Sequence, residues 1–471
     1  MRNIGRKSDP DEWRGRRVTV MGLGSFGGGV GVVRYLASLG AEVTVTDLRS
    51  GEELSKSLEE LQGCGGVRYV LGEHREEDFR GAEVVVVNPA VGRENRYLEI
   101  ARDAGGKLTS EMRIFLERNP ARVIGVTGSN GKSTTTAMTY ALMQAAGERC
   151  RLGGNIGKSL LPELAEIRET DWVVLELSSF QLEDLAELQW GPEVAIVTNF
   201  TPNHLDRHGT LDEYRAAKQN LLSSQSADQV AVLNGDDADV VRWETHGKRL
   251  LFGERDQGTE GVFLRGAGAR EVVCRLNGEE RVGLLGDWLQ VPGRHNLLNA
   301  LGATAAALSQ GVSLEAIERG LRGYRALPHR LEFVGEWSGR KFFNDSLATT
   351  PESTERAIEA FAEPIVLLAG GYDKGSDLTA MASKIVTGGV SGVALMGVTG
   401  PRLEELIRRF DPSGKVLTRV CGDFQEAFEW AVKMSGVGDV VLLSPGCASY
   451  GWFKNFAERG ERFRRLVEGM E

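Results

Sequence analysis

The stretch Val123-Ile-Gly-Val-Thr-Gly128-Ser-Asn-Gly131-Lys132-Ser133-Thr-Thr-Thr136 decides how the rest of the chain is read. Its apolar opening, Val123 to Val126, predicts a buried strand, and the run from Ser133 to Ala146 predicts a helix. Strand, glycine turn and helix N-terminus together make an anion site. Glycines let backbone N–H groups curl around phosphate, the helix end adds positive potential, and Lys132 adds a point charge. The spacing departs from the general phosphate loop G-x-x-x-x-G-K-[ST]. Six positions before Lys132 stands Val126, and the loop is the shorter Gly128-Ser129-Asn130-Gly131-Lys132-Ser133. A hydroxyl suited to Mg²⁺ is still in place at Ser133.

With 471 residues the chain is too long for one core, and several domains are expected. Its 41% apolar and 26% charged content is that of a soluble globular protein. A formal charge of −10 argues against a general nucleic-acid or acidic-membrane binder, so any phosphate site must be a local positive pocket on an acidic body. Cys64, Cys150, Cys274, Cys421 and Cys447 are scattered and lack C-x-x-C spacing, which fits a reducing cytosol and neither a disulfide framework nor a zinc knuckle. Met1 to Arg17 is charged and carries no signal-peptide core, and no run approaches the ~18 apolar residues of a membrane helix. A cytoplasmic location without membrane insertion is expected.

On the N-terminal side of the loop, Arg17-Val-Thr-Val-Met-Gly22-Leu-Gly24-Ser25-Phe26-Gly27 predicts a strand entering G-x-G-x-x-G. A helix pattern follows (Val32, Val33, Leu36, Leu39), then the strand Glu42–Asp47, whose acid stands twenty residues after Gly27. That is the fingerprint of ribose recognition in a dinucleotide fold. Read alone, these residues describe an NAD-dependent dehydrogenase. Another strand, Glu83 to Asn88, ends at Pro89-Ala90, and Asn119-Pro120 marks a boundary before the phosphate loop.

On the C-terminal side, Leu152-Gly-Gly-Asn155-Ile-Gly157 is a further glycine turn, and Asp171 to Glu176 is a buried strand ending in a carboxylate, where a Mg²⁺ ligand belongs beside a phosphate loop. His204 and His208 have the spacing of a zinc pair, but Leu205 stands where a metalloprotease needs glutamate; one of the two as an extra ligand in an oxygen-rich metal site fits better. Lys218 lies in a helical pattern and on pattern alone is an ordinary surface lysine. Short strands occupy 230–290, and Val291-Pro-Gly-Arg-His295-Asn296-Leu-Leu-Asn299 starts a helix. Beyond Pro328-His329-Arg330, strands at Ile365–Leu368, Val393–Met396 and Val440–Leu443 alternate with helices near Glu352–Phe361, Arg402–Phe410 and Glu426–Met434. Such alternation predicts another parallel sheet, with its ligand loops after the strands.

The motifs, in this order, resemble the Mur ligases, the ATP-dependent amino-acid ligases of bacterial peptidoglycan synthesis. They are Gly128-Ser-Asn-Gly-Lys-Ser-Thr134, Gly153-Gly-Asn-Ile-Gly157, Glu176-Leu-Ser-Ser-Phe-Gln-Leu182, Tyr214-Arg-Ala-Ala-Lys218, His295-Asn-x-x-Asn299, Leu327-Pro-His-Arg330, Asn344-Asp-Ser346, Ser444-Pro-Gly-Cys-Ala-Ser449 and Phe453-Lys-Asn-Phe456. The resemblance runs from about Val18 to the C-terminus and is strongest to the D-glutamate-adding branch. It implies an α/β protein of three domains. These are a Rossmann-like UDP-binding domain (1–110), a central P-loop-type ATPase domain (111–326) and a Rossmann-like domain (327–471) that binds the amino acid and closes on ATP, excluding water. The implied substrates are UDP-N-acetylmuramoyl-L-alanine, glutamate and ATP, joined through an acyl phosphate by a monomer.

The same resemblance assigns roles. The loop Gly128 to Thr134 would hold ATP, with Asn296, Asn299, Arg330 and Asp345 around the nucleotide. Ser133 and Glu176 would bind one Mg²⁺; His204 would bind a second, with Lys218 as a carbamate. Lys132, Glu176, His204 and Lys218 form the implied catalytic set. Asn155 and His204 would contact the muramoyl substrate. Ser25, Phe26, Asp47 and Arg49 would hold the UDP moiety, displacing the dehydrogenase reading, and Thr349, Lys374, Ser449 and Phe456 would hold glutamate. One departure stands out: the branch usually reads N-D-S-K-A-T-N, whereas this chain has Asn344-Asp-Ser-Leu347-Ala-Thr-Thr350. A positive charge is lost there, so an L-glutamate-adding ligase is an alternative.

Overall fold

Valine-rich runs bounded by glycine turns build the first sheet of the computed structural model, which describes residues 10–24, 27–92, 94–265, 271–283 and 285–470. Its strands are β1 (Arg17–Met21), β2 (Glu42–Asp47), β3 (Val67–Leu71), β4 (Val84–Val87) and β5 (Lys107–Thr109). They pair in the order β3-β2-β1-β4-β5, parallel throughout. The order reverses at β1, so the connections after β1 and β4 leave in opposite directions and open the crevice at which such folds bind ligands. The helix Gly28–Ser38 follows β1 so closely that a Cβ on Gly29 would stand 2.0 Å from the Leu23 carbonyl oxygen.

The second sheet holds β6 (Arg122–Thr127), β7 (Cys150–Gly154), β8 (Trp172–Glu176), β9 (Val194–Val197), β10 (Val230–Asn234), β11 (Lys248–Gly253), β12 (Gly261–Arg265), β13 (Glu271–Leu276) and β14 (Glu279–Gly283). Its order is β14-β13-β12-β11-β10-β9-β6-β8-β7. All neighbours are parallel up to β12; β13 and β14 then fold back as antiparallel strands. The middle strands are buried along their whole length, as expected where helices cover both faces. At the margin β14 is different: Glu279, Glu280 and Arg281 are exposed, and Glu280 pairs with Arg265 at 2.7 Å and Arg275 at 2.9 Å.

A third sheet contains β15 (Glu332–Trp337), β16 (Arg340–Asn344), β17 (Ile365–Gly370), β18 (Val390–Met396), β19 (Leu417–Val420) and β20 (Val440–Leu443), ordered β15-β16-β20-β17-β18-β19. Only β15 is antiparallel to its neighbour. The helix expected over Ser133–Ala146 spans Lys132–Ala145, and those expected beyond residue 350 span Pro351–Ile358, Gly400–Phe410 and Phe424–Met434. The strands β15 and β19 and the helices Thr379–Thr387 and Phe456–Glu468 lie outside those expectations. Among them β19 is short and mostly exposed, so it lacks the apolar run that marks a strand.

The chain divides into two compact units, Met1–Leu284 with Asn299–Gly320, and Leu285–Leu298 with Leu321–Glu471. The first contains two of the sheets and the second contains the third. Among the described residues, no helix is long and apolar enough to cross a membrane. Gly29→Ala is expected to cost roughly 1–3 kcal/mol by forcing the helix off β1. Gly28→Ala, whose Cβ would meet nothing within 4 Å, should leave the thermal midpoint unchanged in the same calorimetric scan.

Candidate active site

The phosphate loop leaves β6 at Gly128 and enters its helix after Gly131. Both glycines are required by their surroundings. Gly128 has φ +145° and a Cβ there would lie 1.9 Å from the Thr198 hydroxyl; Gly131 has φ +80° and a Cβ would lie 2.4 Å from Oδ1 of Asn299. Loop shape is held by the segment after β9. Oδ1 of Asn199 accepts from the Asn130 N–H at 2.9 Å, while Thr198 Oγ1 and Asn199 Nδ2 donate to the Asn130 carbonyl at 2.6 and 2.9 Å. The Ser129 hydroxyl donates to the Thr201 carbonyl at 2.9 Å. Lys132 folds over the loop, its ammonium donating to the carbonyls of Gly128 at 3.0 Å and Ser129 at 3.1 Å. Ser133 and Thr134 occupy the helix's first turn.

Beneath the loop lies Lys218. It is 1% exposed, not a surface lysine, and its Nζ donates to the Gly128 carbonyl at 2.8 Å while sitting 4.6 Å from the centre of the Tyr214 ring. Burial, then the charge of Lys132, pushes its amine down to about 6 against the pull of Glu176. The sequence marks Leu211–Ser223 only as helical; that this lysine sits on its inward side follows from packing against the loop. At the end of β8, Glu176 is 2% exposed. Its Oε1 accepts from Nδ2 of Asn155 at 2.9 Å, and its Oε2 is buried without a hydrogen-bond partner. Asn155 is thus the side chain that orients Glu176.

The two histidines separate cleanly. His208 is buried, with Nε2 at 2.9 Å from the Ser179 hydroxyl and Nδ1 at 2.8 Å from Oε1 of Glu183, so both ring nitrogens are engaged. His204 is exposed, holds φ 54°, and meets Phe180 and Tyr214 edge-on at 5.2 and 6.2 Å. His204 is therefore the candidate ligand of the pair. Among the described residues, no three His, Cys, Asp or Glu side chains gather as a metal site. In the first sheet, Asp47 accepts from the N–H groups of Leu23 at 3.0 Å and Gly24 at 3.3 Å and is paired with Arg49 at 3.0 Å. Burial pushes the carboxyl up, but the hydrogen bonds from Arg49 and the Gly24 N–H, with the Arg49 charge, outweigh it and hold the carboxyl below its usual range. The acid closes its own glycine turn. Ser25 and Phe26 lie outside the described residues.

In the second unit the expected residues gather after β16, β17 and β20. Asp345 is buried, accepting from the Leu331 N–H at 3.2 Å and the Ser444 hydroxyl at 2.8 Å, and burial pushes its carboxyl up to about 7. Arg330 has a buried Nε without a partner, and Asn296 donates to the Pro292 carbonyl at 2.6 Å. Thr349 is half-buried and Ser449 buried, while Lys374 is exposed with its amine 5.7 Å from the Tyr450 ring centre. Phe456 opens the helix Phe456–Glu468, and its carbonyl accepts from the Ser346 hydroxyl at 2.7 Å. Leu347 is half-buried, its N–H bound to the His329 carbonyl at 2.9 Å.

Three side chains of these sites carry no role in the sequence reading: Thr198, Asn199 and Tyr214. Tyr214 stands four residues before Lys218, a helical spacing that would have placed its ring beside the amine. Thr198 and Asn199 lie in a strand-end turn with no spacing of their own to mark them.

Three family models match the chain: "Mur ligase MurD-like, N-terminal domain" over residues 16–110, "Mur ligase middle domain" over 126–307, and "Mur ligase, glutamate ligase domain" over 329–447. A protein of Roseiflexus sp. (strain RS-1) is 43% identical over 480 residues, spanning 97% of this chain and 99% of its own. One from Acetivibrio thermocellus is 36% identical, spanning 97% of both. Each is named UDP-N-acetylmuramoylalanine–D-glutamate ligase. Among solved structures, UDP-N-acetylmuramate-alanine ligase MurC of Thermotoga maritima aligns with TM-score 0.64 at 20% identity, covering 97% of this chain and all of that one. The MurF ligase of Thermotoga maritima in complex with ADP aligns with TM-score 0.57 at 18% identity over 98% of this chain and 97% of that one. These two likenesses concern the fold.

Gly128→Ala is expected to weaken ATP binding about tenfold or more, because its Cβ would displace Thr198 and with it the Asn130 carbonyl. Titration calorimetry with a non-hydrolysable ATP analogue measures this directly.

Proposed function

The chain belongs to the Mur ligase family, and from that membership we propose that it joins D-glutamate to UDP-N-acetylmuramoyl-L-alanine while ATP is cleaved to ADP and phosphate, a step of peptidoglycan precursor synthesis in the cytoplasm. The observation that supports this best on the chain's own residues is Glu176 Oε2, a buried carboxylate oxygen without a partner beside a phosphate loop. Such an atom is costly unless a cation meets it. A hard, oxygen-seeking ion shared with substrate phosphates is magnesium.

The donor set fits that ion. Ser133 and Glu176 would hold one Mg²⁺, and His204 with the carbamate of Lys218 a second. Magnesium, when bound, neutralises the charge that gathers on the phosphates. The loop N–H groups and Lys132 hold the β- and γ-phosphates, Lys132 exchanging its loop carbonyls for phosphate oxygens. Asn296, Asn299, Arg330 and Asp345 are assigned to the nucleotide; Ser25, Phe26, Asp47 and Arg49 to the UDP moiety; Asn155 and His204 to the muramoyl part. The alanyl carboxylate attacks the γ-phosphorus and ADP leaves, giving an acyl phosphate. Glutamate, held by Thr349, Lys374, Ser449 and Phe456, then attacks the activated carbonyl through its neutral amine. A proton is lost from nitrogen and phosphate departs. Catalysis of this kind is positioning and charge stabilisation. We assign the work to a monomer with domains 1–110, 111–326 and 327–471.

Lys218 is suited to carbamylation because CO₂ adds only to a neutral amine, and a lysine lowered to about 6 is neutral at cellular pH. Below that value the ammonium prevails and the reaction stops. With ¹³C-bicarbonate, a carbamate resonance is expected at pH 7.5–8, fading as the pH falls through about 6 and absent from Lys218→Ala. A resonance that persists in Lys218→Ala would remove the assignment.

Phosphate release with ATP, Mg²⁺ and UDP-N-acetylmuramoyl-L-alanine, compared for D- and L-glutamate, tests the function. D-glutamate should support turnover, and Lys132→Ala and Glu176→Ala should each lose about a hundredfold to a thousandfold or more. Turnover with L-glutamate alone would transfer the reading to the alternative raised by Leu347. Absence of turnover with either amino acid would refute it.

A further inference from the structure

Arg459 is among the largest fully buried side chains of the protein, 2% exposed. It lies in the first turns of the helix Phe456–Glu468. Its guanidinium makes three hydrogen bonds: Nε donates to the Ser346 hydroxyl at 3.0 Å, Nη2 to the Ser346 carbonyl at 2.9 Å, and Nη1 to the Cys447 carbonyl at 3.1 Å. All three acceptors are uncharged. Ser346 passes the contact on, since its hydroxyl donates to the Phe456 carbonyl at 2.7 Å. A single planar fork therefore joins the turn after β16, the turn after β20 and the start of the last helix.

Taking a guanidinium out of water is costly, and three neutral acceptors offset that only in part. Burial draws its pKa down to about 10, so it still carries its charge at neutral pH. Asp345, a carboxyl whose charge acts on it, is itself pushed up to about 7 by burial. An apolar residue would fill this space without the desolvation cost, so the charged fork calls for a task beyond packing.

The segments it joins suggest that task. Thr349 stands three residues beyond Ser346, Ser449 two beyond Cys447, and Phe456 three before Arg459 on the same helix. These are three of the four side chains assigned to glutamate. We infer that Arg459 is a positioning residue for the amino-acid substrate, fixing the spacing of Thr349, Ser449 and Phe456 from beneath and lending positive potential to a site that takes a dicarboxylate. This rests on the glutamate-ligase reading. Lysine keeps the charge but offers a point donor in place of the fork, so it cannot hold two separate turns at once.

The experiment separates the half-reactions. In the full-length enzyme, Arg459→Lys should raise KM for D-glutamate about ten- to a hundredfold, the worth of one or two charge-assisted hydrogen bonds. Formation of the acyl phosphate, read as exchange of labelled ADP into ATP with UDP-N-acetylmuramoyl-L-alanine and no glutamate, should be unchanged. A folded variant with an unchanged KM for glutamate would overturn the inference, as would equal loss of exchange and ligation. Should Arg459→Lys not fold, Ser346→Ala, which removes one acceptor, must show the same selective rise; an unchanged KM there is equally decisive against it. Wild-type protein inactive with glutamate would sink the ligase reading and this inference with it, whereas an active wild type beside an unaltered variant sinks the inference alone.

Discussion

Lys132 and Lys218 both donate to the carbonyl of Gly128, at 3.0 and 2.8 Å, so two ammonium groups would share one acceptor if both were charged. Like charges in so small a space repel strongly, and the buried member yields its proton first. Much of the first unit follows from that constraint. The loop must bring its carbonyl inward, which demands the backbone that only glycine adopts comfortably at Gly128, and the vacated Cβ space is filled by Thr198. Glu176 then faces a site whose charge is set by one lysine and not two. Asn155 fixes one of its oxygens, and the other stays buried without a hydrogen-bond partner.

The sheets explain why these groups meet although they are far apart in sequence. In the second sheet β6 lies between β8 and β9, so the ends of three strands deliver the phosphate loop, Glu176 and the Thr198–Asn199 turn to one edge. The third sheet repeats the arrangement with β16, β20 and β17 as neighbours, which brings the turns at Asn344, Ser444 and Gly370 together. Parallel strands make this possible, because every turn after a strand falls on the same side.

How much of this could be read beforehand differs from residue to residue. The phosphate loop was legible because strand, glycine turn and helix are adjacent in sequence, and Glu176 because a lone acid at the end of an apolar strand is conspicuous. Lys218 was not: its helix carries charge on several sides, and only tertiary packing turns this lysine inward. Asp47 matched a ribose-binding fingerprint, but the spacing does not record that its Oδ2 accepts from the Leu23 and Gly24 N–H groups and its Oδ1 from Arg49. Arg459 sits among Glu458, Glu461 and Arg462, charged neighbours in sequence that give no sign of its burial. Its burial comes from long-range contacts with turns at 346 and 447, which no local pattern encodes.

The charged margin of the second sheet has a consequence for the protein in a crowded solution. A long sheet ends in strands whose outer N–H and C=O groups could recruit a strand from another molecule. Here the last strand, β14, presents Glu279, Glu280 and Arg281 to solvent and ties Glu280 to two arginines of its neighbours. Any incoming strand would have to desolvate these charges before gaining its first backbone hydrogen bond. The nine-stranded sheet is thereby closed to growth from that side without being covered, and its apolar interior can extend over many strands while the molecule resists edge-to-edge aggregation.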